Sequence, residues 1–331
     1  MRVLVPTTVQ PSNYLTALQD SNYGYTNSGD YATSPVWSSA AAYAIGDKVI
    51  VESSYSIYQC IVAHTNHAPP TPPLTSNTWW VRISASNAWK PFDALVNTNR
   101  FAGYDSAPSQ SAGFSRFRLV GMGAFDSVAI LNADVSWIHA TYTAVGNFAL
   151  PEYERYIYCL DDSLVFDAWE YCFGDLPYRN NYVFDGIDGW GTGITGDAPT
   201  LSLEAVNFQS LGTVRIGEIL VGPSYDLGKC HSGAKMSLVD YSVKTVDAYG
   251  NLSIVSRSYS FNATFEIEVP SLRRSRVTQL IADLRATPCV FYPTSDDAND
   301  GIIIYGVIKS FDMIFETPER AYFSLEVEGL A

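Results

Sequence analysis

Leu201-Ser-Leu-Glu-Ala-Val-Asn-Phe-Gln-Ser-Leu-Gly-Thr-Val-Arg-Ile-Gly-Glu-Ile-Leu-Val-Gly222 holds two short β-like runs, Leu201 to Val206 and Val214 to Val221, with turn residues between them. The same pattern recurs upstream at Phe117 to Val120, Ser127 to Leu131, Tyr153 to Leu160 and Leu164 to Phe173. Short strands at this spacing, punctuated by Gly, Asp and Asn, predict a jelly-roll-like β-sandwich over residues 116–222. The run from Val214 to Gly222 reads as its closing strand. Asp185-Gly-Ile-Asp-Gly-Trp-Gly-Thr-Gly193 reads as a long glycine-rich loop.

Downstream, Val239 to Thr245 and Leu252 to Ser258 flank a turn in which Gly250 and Asn251 tolerate the positive φ of a tight hairpin. A helix is predicted over about 271–286, with Ser271 as its cap. Val277, Leu280, Ile281 and Leu284 form its apolar stripe, and Pro288 stops it. Cys289 to Tyr292, Ile302 to Lys309 and Ala321 to Glu328 return to strand. Residues 223–331 are therefore expected to form hairpin-built sheets carrying one helix. Upstream of the sandwich, residues 1–35 are polar and turn-rich and read as an extended arm. Residues 36–84 form a compact unit of short strands around the proline-rich His67-Ala-Pro-Pro-Thr-Pro-Pro, and 85–115 read as a linker. The fold class expected is mainly β and multidomain.

At 331 residues the chain has room for two or three domains. Its 34 acidic against 20 basic side chains give a net charge of −14. A field of that sign repels phosphate, so nucleic acid is excluded as a partner. No apolar run approaches the roughly 20 residues that cross a bilayer, so no membrane insertion is expected. Residues 1–14 lack the basic start and apolar core of a secretory signal, which argues against export of the chain as written. The five cysteines, at 60, 159, 172, 230 and 289, show no metal-like spacing and read as free thiols from a reducing cytoplasm. Twenty-two tyrosines suit broad contact surfaces, because the ring supplies apolar area and the hydroxyl a polar handle.

Trp37, Tyr43, Gly46-Asp47, Val49, Tyr58, Pro69-Pro70 and Trp79-Trp80 keep the order of a known pattern. The string resembles the chitin-binding type 3 modules of carbohydrate-binding families 5 and 12, over about 47 residues. One departure is Tyr55, where many members have Gly in the turn before the second Tyr. The resemblance implies a small three-stranded module. A pyranose ring stacks its C–H face on an aromatic ring while its hydroxyls need oriented polar groups. Tyr43, Tyr58, Trp79 and Trp80 are the candidates for the first role, and Asp47, Gln59 and Asn77 for the second. Against this stands the need of so small a unit to use its aromatics as core.

Ser86-Asn-Ala-Trp-Lys-Pro-Phe-Asp93 resembles a segment that follows such a module in tail proteins of tailed phages. The strings Arg215-Ile-Gly-Glu-Ile-Leu-Val-Gly222, Asp226-Leu-Gly, Asp247-Ala-Tyr-Gly-Asn, Arg257-Ser-Tyr and Leu325-Glu-Val-Glu-Gly-Leu330 are similar to the C-terminal part of those proteins. This resemblance implies a minor tail, tail-tip or baseplate protein whose C-terminal domain is a split β-barrel of the distal-tail and tube kind. It also implies assembly as a trimer or hexamer with other tail proteins, location in the virion, and cell-surface polysaccharide as a further partner.

Enzymatic chemistry finds little support in the residue pattern. His64-Thr-Asn-His67 sits in a proline-rich loop with no acidic neighbour, a poor zinc arrangement, so no metal or cofactor is expected. Glycoside hydrolysis needs two carboxylates flanking the bond. Asp161-Asp162, Asp167, Glu170, Asp185 and Asp188 read better as solvated loop acids. Ser295-Asp-Asp-Ala-Asn-Asp-Gly301 breaks the alternation of a calcium loop and reads as a hairpin tip. Arg273, Arg274 and Arg276 read as a solvated or subunit-facing helix start. The leading expectation is a non-enzymatic virion structural protein. The alternatives are a secreted glycan-hydrolysing protein with its catalytic unit in 116–222, and a lectin in which that sandwich also holds sugar.

Overall fold

A computed structural model of the chain describes residues 1–15, 34–96, 100–103, 113–143, 151–161, 167, 169, 174, 176–187, 199–208, 213–231, 234–246, 249–293, 302–314 and 320–330. The architecture is mainly β, in several antiparallel sheets with the helix Arg274–Asp283. Apart from Asp167 and Trp169, the strand expected at Leu164 to Phe173 lies outside the described residues, as do the glycine-rich loop beyond Ile187 and the Ser295 to Gly301 tip.

Two sheets sandwich the largest core. One runs in the order Tyr153–Tyr158, Trp137–Thr143, Thr200–Asn207, Gly113–Val120, Tyr14–Leu15, and the other in the order Tyr182–Asp185, Ser127–Leu131, Glu218–Gly222. Alternation along the strands explains the packing, because successive side chains point to opposite faces. Leu201, Leu203 and Ala205 turn inward with Ile138, Ala140 and Phe117, and meet Val128, Ile130, Phe184 and Val221. Each such leucine, isoleucine, valine or phenylalanine, fully buried, contributes roughly 1.5–3 kcal/mol of transfer free energy.

The expected closing strand is two strands in two sheets. Val214–Ile216 pairs Phe101–Gly103, whereas Glu218–Gly222 pairs Ser127–Leu131. Gly217 makes the break: its N–H lies 3.1 Å from the carbonyls of both Leu131 and Asn132, and a Cβ there would sit 2.2 Å from the Val96 carbonyl oxygen. Trp137–Thr143 and Tyr182–Asp185 are strands the sequence reading did not single out.

The third sheet is ordered Ser224–Asp226, Arg2–Leu4, Cys289–Tyr292, Ile304–Ile314, Arg320–Gly329, Tyr259–Pro270, with Lys229–Cys230 and Lys235–Asp240 both on the last long strand. Its two edges are carried by one stretch of chain. Ser224–Asp226 pairs Arg2–Leu4, and after Leu227 and Gly228 the chain reaches Tyr259–Pro270 on the opposite edge. The ladder does not close into a barrel; it is split at this passage. Gly228 has φ +130°, and a Cβ there would lie 2.4 Å from the Glu268 carbonyl oxygen. Inside the curl, Val3, Phe265, Ile267, Phe291, Phe323 and Leu325 pack against Val277, Ile281 and Leu284 of the helix. The helix stands where its apolar stripe predicts, but Ser271 begins a 3₁₀ turn that leads into it and makes no capping bond.

Two of the expected connecting segments are integral to these sheets. Within residues 1–15 of the expected extended arm, Arg2–Leu4 lies between two strands of the split sheet, and Tyr14 enters the sandwich core. The physical reason is the short apolar start, whose Met1, Val3 and Leu4 are buried. Residues 16–33 of the expected arm lie outside the described residues. The 85–115 linker likewise packs in, through the 3₁₀ segment Asn87–Phe92, which buries Ala88 and Trp89 in the sandwich core, and through the strand Phe101–Gly103.

A second apolar seam joins the smaller sandwich sheet to the split sheet. Leu4, Val290, Tyr292 and Ile303 meet Ala129, Leu131, Val183 and Leu220, and Arg2 reaches across to Asp185 at 2.8 Å. Glu218 is buried in the same strand as Leu220, with Oε2 lacking a hydrogen-bond partner. Burial, then the nearby Asp93, raises its carboxyl to about 9 against the backbone N–H groups of Ala94 and Leu95, which lower it.

Candidate functional site

The module resembling a carbohydrate-binding unit forms the three-stranded sheet Lys48–Val51, Ser56–Cys60, Trp80–Ala85, with the short pair Ala42–Tyr43 and His64–Thr65 beside it. Gly46 and Asp47 make a turn: Gly46 has φ +98°, and Asp47 Oδ2, a candidate polar partner for sugar, accepts from the Ala44 N–H at 2.7 Å. Such a small unit has few apolar side chains, and its aromatics supply the core.

That need decides the fate of the four candidate aromatics. Tyr58 and Trp80 are 0% exposed and Tyr43 is buried. Tyr58 donates its hydroxyl to the Pro70 carbonyl at 3.0 Å, and Trp80 donates Nε1–H to the His67 carbonyl at 2.7 Å. Tyr43 meets the Trp80 ring edge to face at 5.1 Å and accepts the Ser38 N–H at 2.8 Å. These three rings have no open face for a pyranose. Trp79 is half-buried, and one face of its indole is stacked on His67 at 3.8 Å and 7°. His64 joins the same cluster, edge to face on Trp80 at 4.9 Å; burial, then His67, holds its imidazole below the ordinary range.

The expected polar partners are engaged in the fold itself. Asn77 Oδ1 accepts from the N–H groups of both Trp79 and Trp80, at 2.9 and 2.8 Å, while its amide donates to the Ala68 carbonyl at 3.0 Å. Gln59 sits half-buried on the middle strand, opposite Lys48 and Val81. Among the described residues, no cluster of three His, Cys, Asp or Glu is placed to hold a metal ion.

The departure at Tyr55 has a structural meaning. Its backbone is left-handed, φ 47° and ψ 35°, a conformation that glycine adopts without steric cost. The Tyr55 ring stacks on Trp89 at 5.1 Å and 3°, and meets Tyr14 edge to face at 5.9 Å. Trp89 and Phe92 of the Asn87 to Asp93 string complete this aromatic joint, with Phe92 5.3 Å from Trp89. Asn87 exchanges two hydrogen bonds with Ala102, and Asp93 Oδ1 accepts the Leu95 N–H. The string therefore docks the module onto the sandwich.

Two surface features lie elsewhere. The first is the long hairpin in which Lys235–Asp240 pairs Tyr259–Pro270, then Val243–Val246 pairs Leu252–Val255 in a ladder that joins no other described strand. The register puts Met236, Leu238 and Phe261 on the face that, further along, carries the buried Ala263, Phe265 and Ile267. Beyond the core Leu238 on that face is more than half exposed, and so are Val246, Leu252, Ile254 and Val255 of the second ladder.

The second is the outer face of the five-stranded sheet at its edge strand Tyr153–Tyr158. Cross-strand pairing aligns Tyr158 with Trp137, Tyr156 with His139 and Glu204, and Glu204 with Arg116. Tyr156 stacks on His139 at 3.9 Å and 4° and lies 6.1 Å from Trp137. His139 has Glu154 2.9 Å from Nε2 and Glu204 3.4 Å from Nδ1, and Arg116 is paired with Glu204. The signal was present in Tyr153-Glu-Arg-Tyr-Ile-Tyr158, whose alternation puts Glu154, Tyr156 and Tyr158 on one face and Ile157 on the other.

A scan of the chain against protein-family models finds no match, and a search of curated proteins finds no relative.

Proposed function

We propose that this chain is a structural subunit of a bacteriophage tail tip or baseplate, working as a symmetric oligomer rather than as an enzyme. The observation that carries the reading is the hairpin from Lys235 to Phe261, whose apolar face leaves the split sheet uncovered. An exposed apolar stripe of this kind marks a contact surface, and beside it Lys235–Asp240 pairs one strand only among the described residues, leaving an edge to which another chain can add. The occupant that fits is a second copy, seated through the same hairpin, as a symmetric assembly requires of every subunit.

The resemblance of the Trp37 to Asp93 region and of the C-terminal strings to tail proteins supplies the setting. The module then serves as a docked appendage, joined to the sandwich by Tyr55 and Trp89. The test is the mass of the purified chain across a wide concentration range, by light scattering and mass photometry. A trimer or hexamer is expected, shifted toward monomer by Leu238→Glu with Ile254→Glu. A chain that stays monomeric at every concentration overturns the proposal.

A further inference from the structure

We infer that the edge of the five-stranded sheet, around Trp137, Tyr156 and Tyr158, is a binding site for a neutral polysaccharide. The inference goes beyond the structural role proposed above and does not depend on it. Its basis is a juxtaposition that the module lacks: two tyrosine rings more than half exposed, with a half-buried tryptophan beside them, next to polar side chains that are already oriented.

Tyr156 and Tyr158 are 62% and 56% exposed, on a strand whose inward residue Ile157 is buried in the sandwich core. Rings anchored on a rigid ladder lose little entropy when a ligand covers them, so their apolar area is available for stacking on the C–H face of a sugar. Trp137, half-buried, stands opposite Tyr158 in the register and 6.1 Å from Tyr156, so the three rings lie side by side on one face of the sheet edge.

Behind the strip lies a row of mutually hydrogen-bonded side chains, of which Glu154 is the one that faces solvent while His139, Arg116 and Glu204 are largely enclosed. Tyr156 donates to Glu154 Oε1 at 3.2 Å, His139 sits between Glu154 and Glu204, and Arg116 holds Glu204 from the far side. Carboxylate acceptors next to guanidinium and imidazole donors match vicinal hydroxyls, which donate and accept together. The charges of the row offset one another: Glu154 and Glu204 stand against Arg116 and the neighbouring Arg118, which pairs Ser202 in the register. A balanced row inside a chain of net charge −14 favours an uncharged ligand over a polyanion or a polycation. Toward the middle of the sheet, Ser202 and Thr200 are buried, so the open part is the strip along the edge strand, the shape that one extended glycan chain would occupy.

The experiment is affinity electrophoresis of the full chain through gels containing, in turn, glycol chitin, hydroxyethylcellulose, mixed-linkage β-glucan and galactomannan. Retardation by at least one of these is expected. It should fall at least tenfold in apparent affinity for Tyr156→Ala and for Tyr158→Ala, stay near the parent value for Tyr156→Phe, and be unchanged by Trp79→Ala. Both tyrosines are exposed, so the Ala variants should keep the parent's circular dichroism and melting behaviour, which is checked alongside. Passage through all four gels without retardation overturns the inference, as does retardation that survives both Ala variants. A change in oligomeric mass on Tyr156→Ala, with no change in retardation, overturns it in favour of a protein contact at this edge. Because oligomeric mass is read separately, failure here leaves the assembly proposal standing, and monomeric behaviour leaves this one standing.

Discussion

Replacing Glu218 by Gln should stabilise this protein at neutral and alkaline pH. The carboxyl is enclosed beside the seam between the sandwich and the split sheet, one of its oxygens has no partner, and Asp93 stands nearby. Burial disfavours the charged form, so the folded chain keeps Glu218 protonated up to about 9, whereas an unfolded chain ionises it near 4.5. The stability linked to this group is therefore fully present below about pH 4.5 and is lost progressively as pH rises toward about 9. Each pH unit in that window costs about 1.4 kcal/mol, so at pH 7 the parent has given up about 3 kcal/mol. Gln keeps an oxygen for the N–H groups of Ala94 and Leu95 and cannot ionise. Urea unfolding followed by tryptophan fluorescence, at half-unit steps from pH 4.5 to 8.5, gives the comparison directly. The two chains should converge near pH 4.5 and diverge above it, with Glu218→Gln the more stable by about 1–3 kcal/mol at pH 7. Parallel pH profiles, or a variant less stable than the parent at pH 8, would refute the reasoning that burial governs this carboxyl.

Other consequences concern the core, the split and the thiols. Trp80→Ala removes a fully enclosed indole and its bond to the His67 carbonyl, and should cost about 3–5 kcal/mol, whereas Tyr156→Ala on the open edge should stay within about 0.5 kcal/mol; thermal melts of both variants check this. Gly228→Ala places a Cβ 2.4 Å from the Glu268 carbonyl oxygen at φ +130°, and should destabilise by at least about 1–3 kcal/mol, read as a lower urea midpoint. Under native conditions Cys60, Cys159 and Cys289 are buried, and burial pushes the Cys289 thiol up to about 12; among the four described cysteines Cys230, half-buried, should be alkylated first, as peptide mass mapping will show.

The β character of this chain is legible in the sequence because short alternating runs and turn residues act locally. Ser127–Leu131 and the helix with its Val277, Ile281 and Leu284 stripe fall where the pattern puts them. What the pattern does not carry is long-range pairing. Nothing local in Met1 to Leu4 says that these residues pair with Cys289–Tyr292, and nothing in Val214 to Gly222 says that Gly217 divides it between two sheets. The aromatic string of the module shows the same limit at the level of a site. Order and spacing identify Tyr43, Tyr58, Trp79 and Trp80, but which faces are covered depends on the size of the core they must fill, and three of the four are enclosed. The strip at Trp137, Tyr156 and Tyr158 escapes a motif search for the opposite reason, since its members come from two strands and meet only through the sheet register.

The measurement that bears most directly on the central claim is electron microscopy of tail particles carrying this chain with a small tag after residue 330. Tag density is expected at the tail tip or baseplate, repeated with the symmetry of a ring or trimer, with the hairpin from Lys235 to Phe261 lying in the contact between neighbouring copies. Particles without the tag, from cells in which the chain is free and monomeric, would contradict it.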